Sequence, residues 1–259
     1  MLYHYTTASG FLGIVRDQAI RATNFSFLND SSEVAYGLNL VTEIVLDFSN
    51  RPHLVPGTFD AGRIIASLRG YRDINDLYVA CFTALRDDLG QWRGYGGRDT
   101  DRFCLGMQTS SLAALRASQK AYANVHLVEL LYDDASQREL VESVILNDPT
   151  GMRHTHELLS ELSHLTLRFK NPTFAAEHEW RVAVSTLGTA CEIAEFVVAE
   201  GHLKPYIELR PERDRLEIAE VILLPSRQSK QTLKAAQLVM ERYGYQPATV
   251  CLSNIPFVG

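Results

Sequence analysis

The sequence predicts an α+β fold in which helices flank a mixed, largely antiparallel β-sheet. Strand-like and helical segments alternate in the first part of the chain, whereas the carboxy-terminal third is mostly strand-like. No Gly-x-Gly-x-x-Gly turn opens a helix, and no Gly-Lys-Ser/Thr phosphate loop occurs. The absence of these two motifs argues against the doubly wound parallel sheets that carry them.

The strands are predicted from segments rich in β-branched and aromatic residues. Ten such segments occur: Leu2–Thr6, Ala19–Thr23, Leu77–Thr83, Arg102–Met107, Asn124–Tyr132, Trp180–Ser185, Ala194–Ala199, Lys204–Leu209, Leu216–Leu224 and Thr249–Leu252. Their crowding after Trp180 is what favours antiparallel neighbours over a regular strand–helix–strand alternation.

The helices are predicted from apolar residues that recur at helical spacing. Seven segments fit: Ser9–Asp17, Ser32–Asp47, Asp60–Tyr71, Thr109–Ala121, Ser136–Leu146, Arg153–Arg168 and Ser229–Tyr243. The second is the clearest, since Val34, Leu38 and Val41 lie on one face and either Ser31 or Ser32 is available as its N-cap.

Length and composition predict one domain over residues 1–259. The chain is 46% hydrophobic and 22% charged, which is ordinary for a globular protein, and it is long enough to bury a sizeable core. The strongest loop signals, Asn50–Gly57 and Asn147–Gly151, are too short to force a domain boundary.

The sequence also predicts a soluble, cytoplasmic protein with no membrane partner. No run approaches the ~18 consecutive apolar residues that a membrane span needs. The stretch Met1–Thr7 lacks the basic start and apolar segment of a secretion signal. A net charge of −6 without any block of like charges argues against a broad grip on nucleic acid, although a local basic groove stays compatible with it.

Cysteines and histidines give no metal signature. The four cysteines are far apart, without a Cys-x-x-Cys pair, and are expected to be reduced thiols: Cys81, Cys104, Cys191 and Cys251. His156 and His164 are eight residues apart, and His154 and His156 point to different faces of a helix, so they do not form a tight ligand pair. We therefore expect no metal site.

Two segments in the first part of the chain are rich in polar residues. His4 lies at the end of the first predicted strand, where its ring can face a crevice; the alternative is a hydrogen-bonded structural histidine. Asn29, Asp30 and Glu33 are typical of a turn that leads into a helix, and the same loop can shape one wall of a pocket.

A third segment combines aromatic rings with a cation. Trp92, Arg93 and Tyr95 follow a predicted strand and are closed by glycines. Flat rings beside a guanidinium suit a nucleobase or nicotinamide ring and a phosphate. The alternative is a core Trp and Tyr with an ordinary surface Arg.

A fourth segment brings two carboxylates to the start of an apolar strand. If the stretch is extended, Glu177 and Glu179 lie on the same side, followed on that face by Arg181. Two ionised carboxylates held close together repel each other, which costs free energy unless solvent or a cation stabilises them. The alternative to a functional pair is a structural Glu179–Arg181 ion pair.

Taken in order, these segments resemble bacterial domain-of-unknown-function family 2971. The likeness covers nearly the whole chain. It is carried by Leu2–Thr6, by Leu28-Asn29-Asp30 with Glu33, by Cys81-Phe82-Thr83, by Trp92-Arg93 with Tyr95, and by Phe169-Lys170, Phe174 and Glu177-x-Glu179-Trp180-Arg181.

That family in turn resembles the ADP-ribosyltransferase superfamily. The resemblance implies an ADP-ribosyltransferase-like split mixed or antiparallel β-sheet core with flanking helices, which holds NAD in a central cleft. His4 matches the first position of the superfamily triad, Tyr95 the middle one and Glu179 the last. The Ser-Thr-Ser middle motif is absent, while Glu177-x-Glu179 is similar to the paired-glutamate loop of arginine-directed transferases.

The resemblance implies a glycosyltransferase, a toxin or phage-defence effector, that moves ADP-ribose from NAD to a protein, RNA or DNA acceptor. Water as the acceptor would make it an NAD glycohydrolase, and an antitoxin or defence partner is also implied. Glu179 would stabilise the ribose cation, and Glu177 would position or deprotonate the acceptor. The cofactor-binding residues would be His4, Tyr5, Thr6, Trp92, Arg93, Tyr95 and Arg181, and the pocket wall Asn29, Asp30 and Glu33.

Two alternatives stay open at this point. One is a nucleotide-binding sensor module on the same fold that has lost turnover. The other is a metal-dependent hydrolase or nuclease that uses Glu177, Glu179 and a histidine.

Overall fold

The computed structural model describes residues 1–27, 31–51, 59–74, 76–94, 101–117, 124–147, 155–186, 190–199, 201–212, 215–246 and 249–255. Within these ranges the chain forms eleven strands, nine α-helices and two short 3-10 helices. The α+β class and the mixed sheet that the sequence predicts are confirmed.

All ten predicted strands occur. The strands are β1 (Leu2–Thr7), β2 (Ile20–Asn24), β3 (Leu77–Thr83), β4 (Arg102–Met107), β5 (Leu115–Ala117), β6 (Asn124–Glu129), β7 (Glu179–Ser185), β8 (Glu195–Ala199), β9 (His202–Pro211), β10 (Glu220–Leu223) and β11 (Val250–Leu252). β3 and β4 have the predicted bounds, and β10 is shorter than predicted because it pairs only over four residues.

The helices are α1 (Ala8–Asp17), α2 (Ser31–Ser49), α3 (Ala61–Ile74), α4 (Leu89–Gly94), α5 (Thr109–Ala113), α6 (Asp134–Leu146), α7 (Thr155–Arg168), α8 (Ala190–Ile193) and α9 (Ser229–Arg242). The short helices α4 and α8 were not predicted. The prediction of a helix over Thr109–Ala121 is wrong at Leu115–Ala117, which pairs with Leu209–Pro211 and becomes β5, whereas residues 118–121 lie outside the described residues.

One sheet runs through the described chain in the order β11-β10-β4-β1-β3-β2-β9-β5, with β7 and β6 joined to β3 and with β8 joined to β9. β10 and β11 are parallel, and the other strand pairs are antiparallel. The antiparallel majority agrees with the prediction from the crowded carboxy-terminal strands.

The sheet is split beside β3. One edge of β3 pairs with β7 along its whole length. The other edge is shared, because β2 pairs with Tyr78 and Val79 while β1 pairs only at Thr83. Ala80–Phe82 therefore have no ladder partner in β1 or β2, and a cleft opens where these two strands part.

Two of the four apolar clusters in the described core are large. One packs α1 and α9 against the sheet and includes Phe11, Val182 and Met240. The other joins α2, α3, α6 and α7. Helices α2 and α7 are so close at Gly37 that a Cβ there would lie 2.3 Å from the Thr166 carbonyl oxygen, so only glycine fits.

Two expectations from composition can be compared with the described residues. Cys81, Cys104 and Cys251 are free thiols, as predicted, whereas the side chain of Cys191 lies outside the described part. Across the described ranges, the helices lack the combination of length and apolar character that crossing a bilayer requires.

Candidate functional site

A cleft of about 780 Å³ lies over the split between β1 and β2. This volume is within the range of small-molecule sites. Its walls come from β1, β2, β3, β7, β8 and β9, together with α4 and the segment before β7. The polar side chains that line it include His4, Arg21, Thr23, Thr83, Asp88, Gln91, Lys170, Glu177, Glu179, Arg181 and Lys204.

The centre of the cleft wall is a buried ion-pair network. Glu179 and Arg181 alternate onto the same face of β7, and the Arg181 Nε–Glu179 Oε1 distance is 2.6 Å. Lys170 Nζ lies 2.6 Å from Glu179 Oε2. The Glu179 side chain is 8% exposed, that of Arg181 1% and that of Lys170 4%. The Glu179–Arg181 ion pair, which the sequence offered as the alternative to a functional pair of glutamates, is therefore present, and Lys170 adds a second cation.

Glu177 joins the same network from a different backbone conformation. Its Oε2 lies 2.6 Å from Lys170 Nζ, and its side chain is 40% exposed. The condition under which alternation places the two glutamates on one side, an extended stretch, is not met. Glu177 ends the 3-10 helix Pro172–Glu177, and His178 is left-handed with φ of 44°. The two carboxylates instead converge on one ammonium.

The backbone at Glu177 is held to the opposite wall of the cleft. Its carbonyl oxygen accepts hydrogen bonds from Thr83 Oγ1 at 2.6 Å and from Gln91 Nε2 at 3.4 Å. β3 and α4 therefore fix the position from which the Glu177 carboxylate reaches Lys170.

Lys170 is the site residue that the sequence predictions left without a role. It follows Phe169 just after α7, and its backbone N–H donates to the Leu131 carbonyl. A lysine directly after Phe169, seven and nine residues before two glutamates, is the signal that was available. A buried ammonium needs a counter-charge, and the nearest acids in the sequence supply it.

His4 is hydrogen-bonded and lines the cleft. Its Nδ1 lies 2.9 Å from the Cys81 carbonyl oxygen. Because a carbonyl only accepts, Nδ1 carries the proton and Nε2 keeps its lone pair. Burial lowers the pKa of the ring below its ordinary value, so His4 is neutral at neutral pH. The ring thus presents a hydrogen-bond acceptor at Nε2.

Trp92 and Tyr5 lie in the core. Trp92 is 1% exposed, and its Nε1 donates to Asp87 Oδ1 at 2.8 Å. Its ring packs edge-on against Tyr5 with centroids 4.7 Å apart. The Tyr5 hydroxyl donates to the Leu85 carbonyl and accepts from the Asp88 N–H. Trp92 therefore cannot cover a ligand ring in this arrangement, and both rings support the loop that leads into α4.

Two other predicted cofactor-binding residues lie outside the cleft lining. Thr6 is half-buried in β1, two residues beyond His4, and packs against Gly10 of α1. Arg93 is exposed near the end of α4. Its neighbours Gln91 and Gly94, by contrast, line the cleft.

Four predicted residues cannot be placed against the cleft. Tyr95, Asn29 and Asp30 lie outside the described residues. Glu33 belongs to α2, but its side chain is outside the described part of the chain. The middle position of the triad and the predicted pocket wall stay predictions.

Two cations on the β2–β9 wall were missed. Arg21 and Lys204 both line the cleft. The Arg21 guanidinium lies over the Tyr206 ring at 4.7 Å, and its Nη2 is 3.5 Å from Asp17 Oδ2. No sequence signal marks these two residues, because only the β2–β9 pairing brings them to the same wall.

Metal-ligating residues do not cluster in the described ranges. No group of three or more His, Cys, Asp or Glu side chains there could hold a metal ion. His164 contacts His126 away from the cleft, with ring centroids 5.3 Å apart. His154 and the side chain of His156 lie outside the described part.

The ion-pair network predicts a specific loss of stability in acid. Burial alone would raise the pKa of Glu179, but Arg181 and Lys170 outweigh burial and hold the pKa below its ordinary value of 4.5. The unfolded chain therefore takes up this proton at a higher pH than the folded chain does. The stabilisation is complete above the ordinary pKa and is lost as pH falls through the folded pKa.

Glu179→Gln isolates this contribution. We expect wild type to exceed Glu179→Gln in free energy of unfolding at neutral pH and the difference to shrink below about pH 4.5. Urea unfolding of both proteins across this range measures it. A difference that stays constant down to about pH 3.5 would contradict the assignment.

Comparison with known families supports the resemblance to domain-of-unknown-function family 2971 over part of the chain. Residues 91–182 match a family model described as protein of unknown function (DUF2971). The match runs from α4 into β7 and includes Lys170, Glu177, Glu179 and Arg181. No curated protein and no solved structure gave a significant match.

Proposed function

We propose that the protein is an NAD-dependent ADP-ribosyltransferase whose site is the cleft between β1 and β2. The observation that carries the proposal is that one cleft holds a neutral imidazole with a hydrogen-bond acceptor and a buried, ionised carboxylate. These two groups belong to His4 and Glu179, which the resemblance places at the first and last positions of the superfamily triad. The split beside β3 supports the proposal, because the resemblance implies a split sheet.

The cleft offers groups that suit each part of NAD. His4 Nε2 would accept a hydrogen bond from a ribose hydroxyl, since Nδ1 is engaged with Cys81. Arg21 and Lys204 would provide positive charge for the pyrophosphate in place of Arg93. Phe27 is 43% exposed on the wall and would offer the flat ring that Trp92 cannot.

Glu179 would act on the developing ribose cation. The nicotinamide of NAD leaves as a neutral ring, so the transition state carries positive charge on the ribose. A preorganised carboxylate stabilises such charge best when it is already ionised and fixed. Arg181 and Lys170 provide both conditions, because they hold the pKa of Glu179 low and both of its oxygens in place. Glu177, more exposed, would serve the acceptor.

The acceptor and the biological role rest on the resemblance. A protein or nucleic-acid acceptor, water as an acceptor in a glycohydrolase, and a toxin or phage-defence role with its partner all belong to the proposal on that basis. Net charge of −6 favours a protein acceptor over nucleic acid.

A nucleotide-binding module without turnover is the second candidate. The observation that favours it is that both oxygens of Glu179 are already bonded to Lys170 and Arg181. In that case the carboxylate would serve the fold, and the cleft would bind a nucleotide without cleaving it.

Nicotinamide release from NAD tests the proposal. We expect purified protein supplied with cell lysate as the acceptor source to release nicotinamide, and Glu179→Gln to be slower by about 10²–10⁴-fold. Glu192→Gln removes an exposed carboxylate elsewhere and should leave the rate unchanged. Because Glu179→Gln also loses an ion pair, its rate is compared below its unfolding temperature, with circular dichroism confirming the fold.

Calorimetric titration with NAD separates the alternatives. Binding without release in folded wild type would favour the nucleotide-binding module. If the protein does not bind NAD and does not release nicotinamide, both candidates are overturned. Release that is equal in wild type and Glu179→Gln would remove Glu179 from the catalytic role.

A further inference from the structure

A second cavity lies under α7, on the same face of β7 as the cleft. Glu179 and Arg181 line the cleft, and the next residues on that face, Ala183 and Ser185, line a pocket of about 340 Å³. Arg181 Nη1 donates to the Leu167 carbonyl at 3.2 Å between the two cavities. This cavity, the α7 pocket, is therefore separate from the proposed nucleotide site.

The deep part of the α7 pocket is apolar. Val144 of α6, Leu165 and Leu167 of α7, and Ala183 of β7 form its walls. These residues belong to, or pack against, two different core clusters that meet under α7. The volume suits a molecule of roughly ten non-hydrogen atoms, below the drug-sized ligands that fill larger pockets.

A polar group at the wall is buried without a partner. Ser185 is 3% exposed, and its Oγ makes no hydrogen bond to any described residue. A buried hydroxyl is normally hydrogen-bonded, and leaving one unpaired is unfavourable. Because this oxygen is also closed off from solvent, Ser185 presents no polar atom to the cavity.

The remaining polar side chains gather at the rim. His126 of β6 and His164 of α7 contact each other, and Arg168 lies one turn after His164. Burial, followed by the nearness of His126, lowers the pKa of His164, so its ring is neutral at neutral pH with one N–H. Glu161 is the fifth polar residue of the lining. The two histidines and Arg168 can donate hydrogen bonds at the rim, which favours an anionic acceptor.

We propose that the α7 pocket binds a small carboxylic acid, with its apolar body between α7 and β7 and its carboxylate among the two histidines and Arg168. This proposal is independent of the nucleotide site, because the α7 pocket and the cleft share no lining residue. Its failure would leave the proposed transferase activity untouched.

Benzoate is a suitable probe, and benzyl alcohol is its neutral counterpart. We expect benzoate to bind with a Kd of about 1 mM, the affinity that nine non-hydrogen atoms support at ordinary efficiency. Ring-nitrogen NMR signals of His126 and His164 should shift saturably, while that of His4 stays in place. Benzyl alcohol should bind at least about tenfold more weakly, since it lacks the charge that Arg168 recognises.

Two matched variants locate the binding. Val144→Phe places a larger side chain at the pocket wall and should abolish the benzoate shifts. Leu146→Phe introduces the same side chain on the same helix at an exposed position outside the pocket and should preserve them. Arg168→Gln keeps the cavity and should weaken benzoate about tenfold while leaving benzyl alcohol unchanged.

Each contrary result overturns the proposal. Benzoate shifts that persist in folded Val144→Phe, or that appear at His4 instead, would place the probe elsewhere. Equal affinity for benzoate and benzyl alcohol would show an apolar cavity without carboxylate recognition. No saturable shift in wild type would show that the pocket does not bind this class of ligand.

Discussion

Replacing Lys170 with methionine is expected to lower the free energy of unfolding by about 3–5 kcal/mol, the cost of removing one partner from a buried ion-pair network. Methionine keeps most of the apolar stem and removes the ammonium. Glu179 then stays buried with Arg181 as its only cation among the described contacts, and Glu177 loses its bond at 2.6 Å. Urea unfolding at neutral pH measures the change.

The control for Lys170→Met is Lys234→Met on the exposed side of α9, which should change stability by no more than about 0.5 kcal/mol. The double variant Lys170→Met/Glu179→Gln should cost less than the sum of the two single changes, because the residues share one network. Equal effects of Lys170→Met and Lys234→Met would show that the buried ammonium contributes nothing to the fold.

Replacing Trp92 with alanine is expected to cost about 3–5 kcal/mol. The indole is almost fully buried beside Tyr5, so its removal would leave a cavity where two rings packed. Trp92→Phe keeps much of that volume but removes the N–H donor to Asp87, so a loss of about 1–3 kcal/mol is expected. Thermal and urea unfolding of both variants give the two values.

Phe196→Ala is the comparison for Trp92, because Phe196 is an exposed aromatic residue on β8. It should change stability by no more than about 0.5 kcal/mol. A Trp92→Ala cost as small as that of Phe196→Ala would contradict the core placement of Trp92. It would also reopen the prediction that this ring covers a ligand.

Local composition predicted most of the strands because they are rich in β-branched and aromatic residues that suit a pleated, half-buried surface. β5 is the instructive exception. Leu115–Ala117 lies in a run with helical composition, and only pairing with β9 makes it a strand. Such long-range pairing leaves no local signal.

The candidate site was predictable where its residues are neighbours in sequence. Glu177, Glu179 and Arg181 were recognised because one short segment carries them. Arg21 and Lys204 were missed because β9 brings them to the cleft from far along the chain. For Trp92 the sequence left a core position and a ligand-binding position open, since its partner Tyr5 comes from the first strand.

The left-handed backbone at His178 restricts which residues evolution can place between the two glutamates. Glycine adopts this torsion without steric cost, asparagine and aspartate adopt it readily, and valine or isoleucine would be strongly disfavoured. The His178 side chain itself is exposed. Natural variation at this position should therefore follow main-chain torsion and not side-chain chemistry, so a histidine is replaceable there while the carboxylate spacing persists.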